Sequence, residues 1–177
     1  PERYILFMTV WFGFTFLALI ISSVKIAART EDIYRMASLR LAKPGEDYVP
    51  IEEQLKKIGR ASTLQMLGPI ERAEIIRVLA FRRLPIELFQ PCLKAVEVLS
   101  VITKCDIKTI AIFVSDFFLS FSTEASNDSQ RLVDILNGVI KDAPVPPEDF
   151  FAAFAASRRL LLSKAIAPLD FLQQLRN

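Results

Sequence analysis

YILFMTVWFGFTFLALIISSV, residues 4–24, carries no charged side chain and is bracketed by Arg3 and Lys25. As a helix it spans about 30 Å at about 1.5 Å per residue, the thickness of a bilayer's hydrocarbon core. The run therefore reads as a transmembrane helix. A signal peptide carries a shorter apolar region, roughly 7–15 residues, ahead of a small-residue cleavage site. A buried core helix seldom hides so long a charge-free stretch with Trp11 and several Phe in it. Pro1 reads as a start exposed by removal of an initiator Met, in which case the span itself does the targeting.

Within the span, Trp11 lies too deep for an interfacial anchor and reads as a contact for a neighbouring subunit. Gly13, Ala18 and Ser22 are small residues suited to close helix packing, without a strict GxxxG. Lys25, Arg29, Arg35, Arg40 and Lys43 follow the span, against Arg3 before it. By the positive-inside rule the C-terminal domain faces cytoplasm, matrix or stroma. The glycosylation sequon Asn127-Asp128-Ser129 is then a chance occurrence.

Beyond the span, KIAARTEDIYRMASLRLA runs on in good helix formers to Pro44-Gly45. This predicts one helix from about residue 3 to 42, with a kink near Arg29 as the alternative. The chain divides into an anchor with a projecting helix, residues 1–43, and a helical domain, residues 44–177. Proline, glycine and capping residues mark helices at 51–67, 70–84, 91–105, 107–122, 128–142 and 147–166, with a last one from Pro168. Asp106 is placed to cap the helix at 107. That helix is apolar nearly all round and reads as central; Lys108 and Asp116 exclude it as a second span.

The fold class is all-α. Alternate helix starts are separated by about 37–40 residues, the spacing of stacked α-hairpins. No residue pattern repeats, so an irregular helical bundle competes with the array.

Hydrophobic residues make up 52% of the 177, and mean hydropathy is +0.34. The 22 basic and 20 acidic residues nearly cancel, so electrostatics give little reason to expect a nucleic-acid partner. The absence of histidine removes Ser-His-Asp and Cys-His chemistry and the usual zinc and haem ligands. Cys92 and Cys105 would lie roughly 20 Å apart on one helix, too far to bridge. The five glycines are scattered at 13, 45, 59, 68 and 138 and form no phosphate loop. No catalytic residue, metal ligand or cofactor is expected, and the chain does not read as an enzyme.

Asp116, which interrupts the most apolar helix, reads as a carboxylate held by a salt bridge or hydrogen bond inside the domain, with a buried functional carboxylate as the alternative. Arg158-Arg159, like Lys25 and Arg29, is a candidate contact for an anionic lipid headgroup or a partner's carboxylate. Phe150, Phe151 and Phe154, interleaved with alanines, suit close packing.

Residues 71–121 carry a further pattern: Ile75, Leu79, Ala80 and Arg83, then Asp106, Ile107, Ile110 and Phe113. This resembles the α-hairpin repeats of organellar octotricopeptide and FAST-kinase-like proteins. The resemblance implies an α-hairpin shape and an organellar setting. Those families bind RNA; the neutral charge, the few repeats and the anchor here depart from them.

The resulting expectation is an accessory, structural subunit of a large membrane complex. By analogy with the many such subunits in the mitochondrial respiratory chain and ATP synthase, the expected site is the inner mitochondrial membrane, with the domain on the matrix side. Its partners would be other subunits and membrane lipid, cardiolipin among them. The alternative is a membrane-tethered helical repeat module that binds RNA or a protein. The discriminating feature is whether Lys56, Lys57, Arg60, Arg72, Arg77, Arg82 and Arg83 form one unpaired stripe.

Overall fold

The computed structural model describes residues 2–61, 67–121 and 129–162, apart from the side chains of 2–7, 9–10, 129, 132 and 158–162. Every regular element among the described residues is helical. α1 is one uninterrupted helix, Glu2–Leu41, of 40 residues. The kink near Arg29 does not occur, because Ala, Ile, Leu and Met carry the chain through without glycine or proline until Pro44-Gly45. Gly45 takes φ +85°, the left-handed conformation that lets the chain turn back.

α2 spans Val49–Arg60 and α3 spans Pro69–Phe81. Pro50 and Pro69 sit in their first turns, where a missing N–H costs nothing. The Gly68 N–H donates to the Glu71 carboxylate at 2.7 Å, holding the start of α3. A 3-10 turn, Ile86–Leu88, leads into α4, Phe89–Thr103. α5 spans Ile107–Ser120, and Asp106 caps it, accepting from the Thr109 N–H at 3.1 Å. α6 is Ser129–Asp142 and α7 is Pro147–Leu162.

The starts fall within two residues of the prolines and caps that mark them. Several ends come earlier than expected. α2 stops at Arg60 rather than 67, with Ala61 as its cap. α3 stops at Phe81 rather than 84: Arg83 turns left-handed at φ +57°, and the Leu84 N–H reaches back to the Leu79 carbonyl at 3.2 Å. Pro85 follows, and a residue before proline disfavours helix. α4 stops at Thr103 because Lys104 is left-handed at φ +56°. The expected stretch 163–166 and the helix from Pro168 lie outside the described residues.

Packing runs in two series. α1 packs on α3, α3 on α5 and α5 on α7; α2 packs on α4 and α4 on α6. Sequence neighbours α1–α2, α2–α3, α3–α4 and α4–α5 join the series. α5 is central, burying Ile110, Ala111, Val114, Phe117 and Phe118. Phe113 stacks on Phe151 with ring centroids 4.4 Å apart and meets Phe150 and Phe154 edge-on. Aromatic pairs of this kind add about 0.5–1.5 kcal/mol each beyond the area they bury. The alanines between those Phe residues, at 152, 153, 155 and 156, face outward.

The two halves of α1 differ. From Trp11 to Arg29, nearly every side chain is exposed; Phe14 is 71% accessible and Trp11 56%. In the second half, Ile33, Tyr34, Ala37 and Ser38 are buried against α2 and α3. One continuous rod therefore begins outside the domain and ends inside its core.

Candidate functional site

The free half of α1 is, among the described residues, the one helix long and apolar enough to cross a membrane. Two of its hydroxyls are satisfied within the helix. Thr15 donates to the Trp11 and Phe12 carbonyls at 3.1 and 3.0 Å, and Ser23 donates to the Leu19 carbonyl at 2.9 Å. Hydrocarbon cannot pair with a polar group, so this self-satisfaction suits a lipid-facing helix. Trp11, Ala18 and Ser22 recur at seven and four residues and share one face. Gly13, two residues after Trp11, falls about 200° round the axis and does not join them. A Cβ added to Gly13 would meet nothing within 4 Å.

Where α1 enters the domain it forms one wall of a groove of about 660 Å³. Ser23, Ile26, Ala27, Thr30, Glu31 and Tyr34 line that wall. Lys56, Gly59 and Arg60 of α2, with Pro69 and Arg72 of α3, form the other. Gly59 sets the width. A Cβ built there would stand 1.9 Å from the Tyr34 hydroxyl and 3.3 Å from Ile76 Cδ1, so only glycine lets α1 and α2 approach this closely.

The cations of the groove differ in their partners. Lys56 Nζ lies 2.7 Å from Glu52, whose hydrogen bond raises the lysine's pKa above its ordinary value. Arg72 donates one bond, to the Gly59 carbonyl at 3.1 Å, and its buried Nε has no hydrogen-bond partner among the described residues. Arg60 is exposed and sits in no ion pair among them. Lys25 and Arg29 are also exposed, but on other faces of α1. The side chains of Arg158 and Arg159 lie outside the described residues.

The seven basic residues of α2 and α3 and the turn after it do not form one unpaired stripe. Lys56 pairs with Glu52, Arg77 with Glu74 at 2.6 Å, and Arg82 with Asp116 at 2.5 Å. The last pair supplies the partner expected of Asp116, as a salt bridge, and it ties α3 to α5 across 34 residues of sequence. The Asp116 side chain is 7% exposed and that of Arg82 33%.

Cys92 is buried in α4, and desolvation pushes its thiol well above the ordinary range. Cys105 stands just beyond the helix end, half-buried, its Sγ 3.5 Å from a Glu148 oxygen. Neither forms a disulfide. Among the described residues no three His, Cys, Asp or Glu side chains come together as a metal site.

The groove itself went unread in the sequence. Its signals were Tyr34 on an otherwise charged stretch, Gly59 inside a helix, and Arg60 and Arg72 on either side of Gly68-Pro69. Comparison with protein-family models, with curated proteins and with solved structures finds no match to this chain.

Proposed function

We propose that this chain is a non-catalytic structural subunit of a large membrane complex, anchored by α1. The observation that carries this reading is the divided α1: an apolar half exposed on every side, continuous with a half built into the domain core. A signal sequence gains nothing from such continuity, whereas an anchor transmits its position rigidly to what it holds. The exposed Phe and Trp residues match lipid or neighbouring helices as solvent. The five cations after the span favour the domain on the cytoplasmic, matrix or stromal side. By analogy with subunits of similar build, the complex is a mitochondrial respiratory complex or ATP synthase in the inner membrane.

The two packing series favour the α-hairpin array over an irregular bundle, and with it a domain that offers extended side surfaces to protein partners. The ion-paired arginines and near-neutral charge speak against RNA as the ligand of those surfaces. Extraction in mild detergent, followed by native gel electrophoresis and mass spectrometry, tests the proposal. The chain should migrate far above its own 20.0 kDa with other membrane subunits. Release from membranes by alkaline carbonate as a lone chain would overturn it.

A further inference from the structure

We propose that the groove between α1, α2 and α3 holds the headgroup of an anionic phospholipid; this rests on α1 being the membrane anchor. If residues 4–24 fill the hydrocarbon, the groove wall from Ser23 to Glu31 lies at headgroup depth. The charge there suits a phosphodiester. Lys56 is neutralised by Glu52, and Glu31 offsets one of the two arginines, leaving an excess of one positive charge. Arg60 supplies an exposed guanidinium, and Arg72 makes one hydrogen bond among the described residues. Arginine's planar fork fits phosphate oxygens.

The occupant is a lipid rather than free phosphate because the same face of α1 continues towards the N-terminus as Phe12, Phe16, Leu19 and Ile20. All four are exposed. They form an apolar track, in register with the groove, along which acyl chains can lie. The lipid would join α1 to α2 and α3 at the membrane surface.

The full chain in nonionic detergent micelles, given equal phosphatidylglycerol and phosphatidylcholine, provides the test, with retained lipid counted by native mass spectrometry. Phosphatidylglycerol should be preferred. Arg60→Gln with Arg72→Gln should cut that preference about 25-fold, roughly fivefold per arginine, the scale of one basic residue at an anionic surface. Lys25→Gln with Arg29→Gln, on other faces of α1, should leave most of it. Arg60→Gln alone, at an exposed side chain, keeps the fivefold test if the double variant does not fold. An equal fall in both pairs, no preference in the parent chain, or displacement of the lipid by excess inorganic phosphate would overturn the groove as a lipid site while leaving the anchor standing. A chain that stays dispersed in water without detergent would instead overturn the anchor and the groove together.

Discussion

Gly59 and Tyr34 meet where the anchor helix joins the domain, and the contact is close enough to be tested by substitution. Gly59→Ala should cost about 1–3 kcal/mol, since the new methyl overlaps the Tyr34 hydroxyl and both sit in a packed wall. Tyr34→Phe removes the overlapping oxygen but leaves the ring carbon at 3.0 Å, so the double variant should recover part of the loss. A double-mutant cycle by chemical denaturation reads this as a coupling of roughly 0.5–1.5 kcal/mol; additive losses would mean that the contact is looser than the geometry. The cysteines give a second residue-scale test. Cys92 is fully buried, with its thiol held in the neutral form by desolvation, while Cys105 is half-exposed at a helix end. Under native conditions maleimide should label Cys105 at least tenfold faster, and Cys92 only as the domain opens. Equal rates would show α4 to be poorly packed.

At the scale of the element, helix starts were legible, and so were the ends of α1 and α6, but several other helix ends were not. Pro50, Pro69, Asp106 and Pro147 act locally: each fixes a dihedral or satisfies an N–H whatever the rest of the chain does. The C-terminal ends of α3 and α4 are set by left-handed residues, and those residues are Arg83 and Lys104 rather than the glycine that would mark such a turn. The continuity of α1 could be read because it depends only on the absence of a breaker. The groove could not, because it needs three elements at once and its key residue, Gly59, looks in sequence like a weak point in a helix. The Asp116 pairing was legible only as a need; its partner, Arg82, is fixed by how α3 and α5 pack. α2 offers a test of its own local electrostatics. Glu52 and Lys56, four residues apart on one face, raise the lysine's pKa, so their contribution is complete at neutral pH and fades only as pH climbs through the lysine's elevated folded value, above its ordinary 10.5. The effect is small for an i, i+4 pair, about 0.5 kcal/mol. Glu52→Gln should therefore lower the melting temperature slightly at pH 7, with the difference from the parent vanishing at strongly alkaline pH. A difference that persisted there would point to the place of Glu52 in the first turn of α2, or to its packing, rather than to the pair with Lys56.

For the whole molecule, the question is which part of α1 belongs to the membrane and which to the domain, and truncation separates them. A chain beginning at Lys25 loses the exposed apolar half but keeps Ile33, Tyr34, Ala37 and Ser38 in the core. It should stay helical and melt cooperatively without detergent, because no buried side chain among the described residues has been removed. A chain beginning at Asp47 loses those contacts as well. Burying a large apolar side chain contributes about 1.5–3 kcal/mol, so Ile33 and Tyr34 alone account for roughly 3–6 kcal/mol, an upper figure because the unfolded chain already hides some surface. Set against the 5–15 kcal/mol typical of a folded domain, about that loss leaves α2 and α3 barely held and their inner faces open to water. The shorter chain should show a lower melting temperature, a shallower transition and aggregation on size-exclusion chromatography. If the two truncations melted alike, α1 would be a tether lying on the domain rather than the first helix of its packing series. If instead the Lys25 chain aggregated and the full chain did not, the apolar half would be shielding the domain and not merely anchoring it.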